Sequence, residues 1–387
     1  MEWLKRTWAT VSLDDLYHNY KQIREHIDGD AKFMGVVKAD AYGHGAIAIS
    51  RALAEFGADY LAVSNLEEAI QIRNAGIKLP ILILGYTPPS FAPELVYRNI
   101  TQTVYSFGYA QELSQALCGM GECLRIHLKI DTGMARIGFL SYNSEQALQA
   151  AARAASLSGL MAEGIFTHFS SADSTAEDAV SFTQLQYDRF SHALDYLKGL
   201  GVEFQLRHCC NSGAIVHYPQ YAMDMVRAGI ITYGLPSSAD LKNRLDLRPI
   251  MTLQTVVSHI KEIPQESPVG YSRTYKTPSV KRIATLPIGY ADGYSVALSG
   301  QVKVLIRGKS YPVVGRICMD MCMIDITDAL EIQVGEIVTV VGSDNSWDNM
   351  ANLLHTIPYE VVCRISKRVP RVYTRNGEEV DILRYIC

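Results

Sequence analysis

Charged and polar side chains follow several apolar runs in the first 240 residues of this sequence, at the points where strands would end. Lys38 closes the run Phe33–Val37, and His168 and Arg227 follow two later runs. A lysine at the end of a buried strand is costly unless it is paired, deprotonated or covalently used. Desolvation favours the neutral amine, a nucleophile that forms Schiff bases with aldehyde cofactors. The alternative is a side chain that reaches from the rim of the fold into solvent, and this position alone favours neither.

Eight apolar runs, separated by helical patterns, lie between about Ala31 and Gly234. Helices are expected over Ala46–Phe56, Asn65–Asn74 and Ala176–Leu200. Eight strand-and-helix units predict an α/β fold, namely a (β/α)8 TIM-like barrel, with a doubly wound sheet as the competing arrangement. In a barrel, reactive side chains belong at the carboxyl ends of the strands, where five of the eight runs carry polar residues. The predicted strands are Phe33–Val37, Tyr60–Val63, Pro80–Leu84, Thr101–Tyr105, Leu124–Ile130, Gly164–Thr167, Glu203–Arg207 and Met223–Val226.

After about Asp240 short strands separated by glycine and proline dominate, which predicts a C-terminal all-β domain. The strand-like segment Arg6–Val11 is expected to pair with it. We therefore expect a barrel domain over 12–240 and a β-strand domain built from 1–11 and 241–387. The predicted strands of this domain are Met251–Ile260, Val280–Leu286, Val302–Ile306, Tyr311–Val314, Met321–Ile326 and Ile337–Val341.

Composition is that of a globular two-domain protein: 387 residues, 48% hydrophobic, 20% charged and a net charge of -4. The charge balance argues against nucleic-acid binding, and no apolar run is long enough to span a membrane. The segment Met1–Arg6 lacks the apolar core of a signal peptide, so a cytoplasmic protein is expected. Cysteines 118, 123, 209, 210, 318, 322, 363 and 387 form no C-x-x-C pair and are expected to be reduced thiols. Cys318 and Cys322 have no second ligand pair nearby, so no metal site is expected.

Two long motifs and several shorter ones give the sequence a family resemblance. Val36–Gly45 resembles the cofactor-lysine motif of alanine racemases, and Gly315–Asp320 resembles a second motif of that family. Shorter blocks follow the family order, namely Thr167–Phe169, Asn211–Ser212, Arg227–Ile230, Gly270–Thr274, Gly289–Gly293 and Pro358–Glu360. The resemblance extends from near residue 6 to near residue 373. It implies a pyridoxal 5'-phosphate-dependent amino-acid racemase, an isomerase acting on alanine, that works as a homodimer with a shared active site.

The resemblance also assigns catalytic roles. Lys38 would hold the cofactor covalently and serve as one acid/base, and Tyr271 of the partner subunit would be the other. Two groups are needed because racemisation removes a proton from one face of the α-carbon and returns it to the opposite face. Arg227, supported by His168, would face the pyridine nitrogen and keep it unprotonated, since arginine does not readily release its proton. The weaker electron sink would then suppress side reactions.

Further positions are assigned to binding. Arg136 would reach the cofactor's phenolic oxygen and the substrate carboxylate, and the partner's Met319 would bind that carboxylate through its backbone N–H. Lys129 would be carbamylated, because a cationic amine there would repel Arg136. The cofactor phosphate and its surroundings would involve Tyr42, Asn211, Ser212, Gly229, Ile230 and Tyr359. Tyr290 would contact substrate, and Asp173, Arg316 and Ile357 would line an entrance corridor.

Three other functions remain open from the sequence. A serine or broad-specificity racemase is disfavoured by the bulk of Tyr359, although a pocket rejects an added hydroxyl only weakly. A basic amino-acid decarboxylase would place an acidic residue where Arg227 stands. A non-catalytic pyridoxal phosphate-binding protein would not need the second domain. For a racemase, the resemblance implies the supply of D-alanine for bacterial peptidoglycan.

Overall fold

The first two-thirds of the chain alternate strands and helices. The computed structural model describes residues 3–27, 29–142, 145–342 and 345–386. Its strands here are β1 (Thr7–Ser12), β2 (Lys32–Val36), β3 (Tyr60–Val63), β4 (Ile81–Ile83), β5 (Ile100–Val104), β6 (Leu124–Asp131), β7 (Phe139–Leu140), β8 (Leu160–Phe166), β9 (Leu206–His208) and β10 (Met225–Ala228). The helices are α1 (Leu13–His26), α2 (Ala46–Phe56), α3 (Leu66–Asn74), α4 (Ala92–Tyr97), α5 (Phe107–Ala116), α6 (Glu145–Ala155), α7 (Glu177–Gly199) and α8 (Ser212–His217).

The parallel strands form a nearly closed barrel. They pair in the order β10-β2-β3-β4-β5-β6-β8-β9, and β7 pairs with β6. Across the remaining gap the Asp224 N–H donates to the Arg207 carbonyl (3.1 Å), and the Arg227 N–H donates to the Cys210 carbonyl (3.0 Å). Residues of β3, β4 and β5 are buried throughout, as expected for parallel strands covered by helices outside and side chains inside. The predicted (β/α)8 barrel is confirmed.

The seventh barrel strand differs from its predicted bounds, Glu203–Arg207. It begins at Leu206 and ends at His208. The Val202 N–H donates to the carbonyl of Leu197 in α7 (2.9 Å), so the turn that ends this helix reaches almost to the predicted start of the strand. The consequence is that His208 is a strand residue that faces the barrel interior rather than a loop residue.

The last third of the chain, together with β1, forms a separate ten-stranded sheet with two short helices. Its strands are β11 (Met251–Val256), β12 (His259–Ile263), β15 (Lys281–Leu286), β16 (Lys303–Ile306), β17 (Lys309–Val314), β18 (Cys322–Asp325), β19 (Ile337–Val341), β20 (Arg371–Arg375) and β21 (Glu378–Leu383), together with β1. β13 (Pro268–Val269) and β14 (Tyr275–Lys276) form a separate hairpin, and the helices are α9 (Trp347–Leu353) and α10 (Pro358–Cys363). β1 pairs antiparallel with β11 and parallel with β20, which confirms the expected return of the N-terminal segment.

Two features of this sheet differ from the sequence prediction. The single strand predicted over Met251–Ile260 is broken, because the Val257 N–H bonds to Glu336 and the Ser258 N–H bonds to Thr285, so the chain changes partners there. The hairpin β20–β21 was not predicted. Its turn, Asn376-Gly377, has φ values of 53° and 78°. Asn-Gly between strands is the usual signal for a turn with two positive φ angles.

Other predictions concern cysteines, metals and membranes. Seven of the cysteines are free thiols, and Cys387 lies outside the described residues. Within the described ranges no cluster of three or more His, Cys, Asp or Glu side chains could hold a metal ion. Nor does any helix there have the length and apolarity to cross a membrane. We propose to keep 12–240 as the bounds of the barrel domain and 1–11 with 241–387 as those of the β domain.

Candidate active site

Lys38 follows the end of β2 and opens a turn with an unusual backbone. Ala39, Asp40, Ala41 and Tyr42 have φ values of 51°, 56°, 52° and 53°, and none is glycine. The left-handed conformation costs about 1–2 kcal/mol per residue for L-amino acids. A run of four such residues therefore has to be held in place by its surroundings.

Two carboxylates hold the turn from within the barrel domain. Glu68, in the first turn of α3, accepts from the backbone N–H groups of Ala39 and Ser64, both at 2.7 Å. Asp40 accepts from the N–H of Ala46 at the start of α2 (2.8 Å). These bonds satisfy the backbone donor of Ala39 and tie the left-handed turn to the starts of α2 and α3.

Three residues of the β domain hold the same segment from the other side, and we call Arg371, Tyr373 and Tyr385 the C-terminal clamp. Nε of the fully buried Arg371 donates to the Gly43 carbonyl (2.8 Å). The hydroxyl of Tyr373 donates to the His44 carbonyl (2.9 Å), and the hydroxyl of Tyr385 donates to Asp40. The β domain thus fixes the backbone that follows Lys38.

The side chain of Lys38 is half-buried. Burial, with a further contribution from the charge of Arg136, lowers the pKa of the Lys38 amine. A lowered pKa increases the fraction of neutral amine, the form that attacks a carbonyl carbon. The side chain is thus not the fully solvated one that the sequence alone left open.

Hydroxyl groups converge above Gly229, just beyond β10. A Cβ atom at Gly229 would lie 3.0 Å from the Tyr42 hydroxyl and 3.4 Å from Oγ of Ser212. The Gly229 N–H donates to that same Oγ (3.1 Å), and the chain continues through Ile230 into a short 3-10 helix. The Tyr359 ring lies 5.8 Å from the ring of Tyr42. Four of the residues predicted to hold phosphate are therefore grouped in one place, with Ile230 next to Gly229 in the chain.

The side-chain amide of Asn211 forms hydrogen bonds to other groups of the protein. Its oxygen accepts from the Ala214 N–H at the start of α8 (3.1 Å), and its nitrogen donates to the Phe169 carbonyl (3.0 Å). It also lies 3.5 Å from Nε2 of His168. Its contribution in the described chain is to hold Ser212 and His168 in position.

Arg227 is buried at the end of β10 and anchored by neutral groups. It donates to the backbone carbonyls of Thr167 (2.8 Å), Cys209 (3.0 Å) and His208 (3.1 Å). Nδ1 of His208 lies 2.9 Å from its Nη1, and Nδ1 of His168 lies 3.3 Å from its Nη2. Burial lowers the pKa of Arg227 to about 10, so the group remains a cation near neutral pH.

Lys129 and Arg136 complete the barrel part of the site. Lys129 is buried at the end of β6, with Nζ 4.6 Å from the ring centroid of Phe166. Burial, followed by the charges of Arg227 and Arg136, lowers its pKa well below the usual value. Burial and the same cations also lower the pKa of His168. Arg136 is exposed in this chain, and its charge contributes to the lowered pKa values of Lys38, Lys129 and His168.

The remaining predicted residues lie mostly on the β domain and are exposed. Tyr271 is 70% exposed and Met319 52%, and both line an open cavity of about 650 Å³. None of the described hydrogen bonds or ring contacts joins Tyr271 to the barrel. Tyr290, Arg316 and Ile357 are likewise exposed, whereas Asp173 is half-buried near Tyr359.

Sequence reasoning missed His208 and the clamp. His208 lies one residue beyond the predicted seventh strand, whose bounds therefore gave no indication that its side chain points inward. A better signal was the alternation of Leu206 and His208 as inward positions. Arg371 and Tyr373 had no comparable signal, since Arg371 contacts Gly43 across 328 residues of sequence.

A (β/α)8 barrel with a half-buried lysine and converging polar groups at the carboxyl ends of its strands is typical of a barrel enzyme. Comparison with known proteins is consistent with this. The family model for the alanine racemase N-terminal domain matches residues 11–237, and that for the alanine racemase C-terminal domain matches residues 250–373. Alanine racemase 1 of Clostridium acetobutylicum is 45% identical, with 99% of each chain covered.

Solved structures give the same result. The alanine racemase of Clostridium difficile 630 superposes with a TM-score of 0.95 at 41% identity, covering 100% of both chains. Its complex with cycloserine gives a TM-score of 0.93 at 40% identity, again covering 100% of both chains. The chain therefore belongs to the alanine racemase family, whose members are racemases and hence isomerases.

Proposed function

We propose that this chain interconverts L-alanine and D-alanine with pyridoxal 5'-phosphate, using one base from each of two subunits. When bound, that cofactor withdraws electrons from the amino acid and so acidifies its α-proton. The observation that most directly supports this is the arrangement of Arg227. Its Nη atoms are occupied by carbonyls and histidines, while the Nε–H has no described partner. That N–H is suited to an unprotonated pyridine nitrogen, because arginine only donates.

The residues present also fit the cofactor's phosphate. The hydroxyls of Tyr42 and Ser212 meet over Gly229, where any side chain would fill the space. Hydroxyl donors and a close backbone suit a phosphate dianion. We assign Tyr359 and the backbone of Ile230 to the same group, and Asn211 to the support of Ser212.

Lys38 would hold the cofactor and act as the base on one face of the substrate. The second base has to come from the opposite face, and we assign it to Tyr271 of the partner subunit. In the isolated chain Tyr271 is largely exposed, which suits a residue completed by another copy. Met319 and Tyr290 lie exposed on the same domain, and we assign them to substrate binding across the interface.

The 650 Å³ cavity around Tyr271 and Met319 supports a homodimer. Exposed apolar side chains there, including Met321 at 51%, are unusual for a surface that stays solvated. A second copy would cover them and bring Tyr271 to the barrel. Asp173, Arg316 and Ile357 would then line the entrance between the copies.

Lys129 is suited to carbamylation. The reaction joins the neutral amine nitrogen to carbon dioxide and releases one proton, so it needs an unprotonated lysine. The lowered pKa of Lys129 supplies that form, and the cations of Arg136 and Arg227 favour the resulting anion. The carbamate would orient Arg136 towards the substrate carboxylate.

Chiral chromatography tests the proposal most simply. Purified protein with added cofactor is incubated separately with L-alanine, L-serine, L-lysine and L-arginine. Fast formation of D-alanine with slow D-serine is expected, because Tyr359 narrows the pocket. Carbon dioxide release from lysine or arginine without any D-product would indicate a decarboxylase instead. We further place the reaction in the cytoplasm, where D-alanine would supply peptidoglycan synthesis.

A further inference from the structure

A chain of buried polar side chains leads from Arg227 through the barrel interior, away from the active site. Nη1 of Arg227 lies 2.9 Å from Nδ1 of His208, and Nε2 of His208 lies 2.9 Å from Nδ1 of His127. Nε2 of His127 lies 3.5 Å from a carboxylate oxygen of Glu163, within ion-pair distance but outside hydrogen-bond geometry. Both histidines are fully buried, whereas Glu163 is partly exposed.

The barrel is built to accommodate these rings. A Cβ atom at Gly164 would lie 2.7 Å from two ring atoms of His127, so only glycine leaves room for that imidazole. The ring of Phe166 stacks on that of His208, with centroids 4.8 Å apart and planes at 4°. Neither ring can turn over without displacing its neighbours, because interiors are close-packed.

The direction of the protons along the chain follows from its first member. A guanidinium has no acceptor, so Nδ1 of His208 must present a lone pair to Arg227. A neutral imidazole that accepts at one nitrogen carries its proton on the other, so Nε2 of His208 donates to His127. By the same reasoning Nε2 of His127 carries the proton that faces Glu163. Burial lowers the pKa of both histidines, which keeps them neutral.

Glu163 supplies the negative end of this chain. The contact with His127 and the hydroxyl of Tyr60 (3.0 Å) lower the pKa of Glu163, so it stays ionised near neutral pH. The hydrogen-bond partners of Arg227 itself are all neutral. The carboxylate therefore opposes the buried cation through two imidazoles rather than by direct contact.

We propose that His127 and Glu163 are positioning residues that fix the orientation of Arg227. With the carboxylate in place, His208 always offers a lone pair to Nη1, and Nε stays directed at the cofactor. If the chain were reversed, His208 would present an N–H to an N–H, and the guanidinium would have to move. Only the last step, contact of Nε with the pyridine nitrogen, rests on the proposed function.

The tautomers can be measured without cofactor or substrate. Nitrogen NMR on histidine-labelled apoprotein distinguishes a ring protonated at Nε2 from one protonated at Nδ1 or at both. We expect His127 and His208 both to be neutral with the proton on Nε2. A charged ring, or an Nδ1-protonated ring at either position, would overturn the proposal whatever reaction the protein catalyses.

Substitutions at Glu163 test the consequence for the cofactor. Glu163→Lys replaces an acceptor with a donor and should reverse the chain, whereas Glu163→Gln can still accept. The matched control is Thr103→Val, which removes a buried bond to the Ile83 carbonyl elsewhere in the barrel. The readouts are the visible absorbance of the bound cofactor and the ratio of transamination to racemisation.

We expect Glu163→Lys to shift the absorbance and raise the ratio about tenfold, the equivalent of one lost buried hydrogen bond. Glu163→Gln should change it much less, and Thr103→Val not at all. Wild-type-like absorbance and ratio in Glu163→Lys would overturn the positioning role. An absence of racemisation in the unmodified protein would instead refute the proposed function and leave the NMR result standing.

Discussion

Removing one hydroxyl from the C-terminal clamp should loosen the backbone that carries Lys38. In Tyr373→Phe the His44 carbonyl loses a buried 2.9 Å hydrogen bond while the aromatic ring remains. Leaving a buried acceptor unpaired costs about 1–3 kcal/mol. The four left-handed residues after Lys38 amplify the effect, since their combined strain of about 4–8 kcal/mol is opposed by only a few such bonds.

The cost should appear in cofactor binding as well as in stability. If about 1.4 kcal/mol of this free-energy cost destabilises the turn in its cofactor-binding conformation, the Kd for pyridoxal phosphate rises about tenfold. Titration followed by the visible absorbance of the bound cofactor gives the Kd, and urea unfolding gives the stability.

Tyr109→Phe is the matched control. It removes a buried tyrosine hydroxyl, away from Lys38, that donates to the Thr87 carbonyl and also accepts from the Thr87 N–H (3.3 Å), so its stability loss should be at least as large. We expect both variants to lose stability. Only Tyr373→Phe should bind the cofactor more weakly. Equal cofactor affinities in the two variants would refute the clamp.

Three further predictions follow from the buried charges. Incubation with carbon-13 bicarbonate should give a carbamate NMR signal that disappears in Lys129→Met; an unmodified amine in the wild type would rule the carbamate out. Arg227→Lys keeps the charge but loses the planar set of donors, which removes about 3 kcal/mol of hydrogen bonding. The rate of racemisation should therefore fall about 100-fold or more. A variant that retains more than a tenth of the rate would be inconsistent with the role of Nε. Burial lowers the pKa of His44 to about 4. Below about pH 6.5 the unfolded chain therefore binds a proton at this histidine, whereas the folded chain keeps the ring neutral. The free energy of unfolding is unaffected by this group above that pH and falls by about 3 kcal/mol as the pH is lowered to about 4. Urea unfolding between pH 7 and 4.5 should show that the free energy of unfolding falls less steeply with decreasing pH in His44→Gln than in the exposed control His192→Gln. Identical pH dependence in the two variants would contradict the lowered pKa of His44.

The barrel could be read from the sequence because its strands are short apolar runs that end in polar residues. Lys38 and Arg227 were found for the same reason. The left-handed turn could not be predicted, since Ala39 to Tyr42 contain no glycine to mark positive φ and the conformation depends on distant partners. His208 was missed because the predicted strand ended one residue too early, and only strand residues have the alternation that indicates which side chains face the barrel interior.

Mixed dimers test most directly whether two subunits supply one base each. Lys38→Ala and Tyr271→Phe are purified separately, each is assayed alone, and the two are then mixed under conditions of verified subunit exchange. We expect both homodimers to be inactive and the mixture to recover alanine racemisation, because one site per heterodimer combines an intact Lys38 with an intact Tyr271 from the other copy. A mixture that exchanges subunits but stays inactive would contradict the shared site.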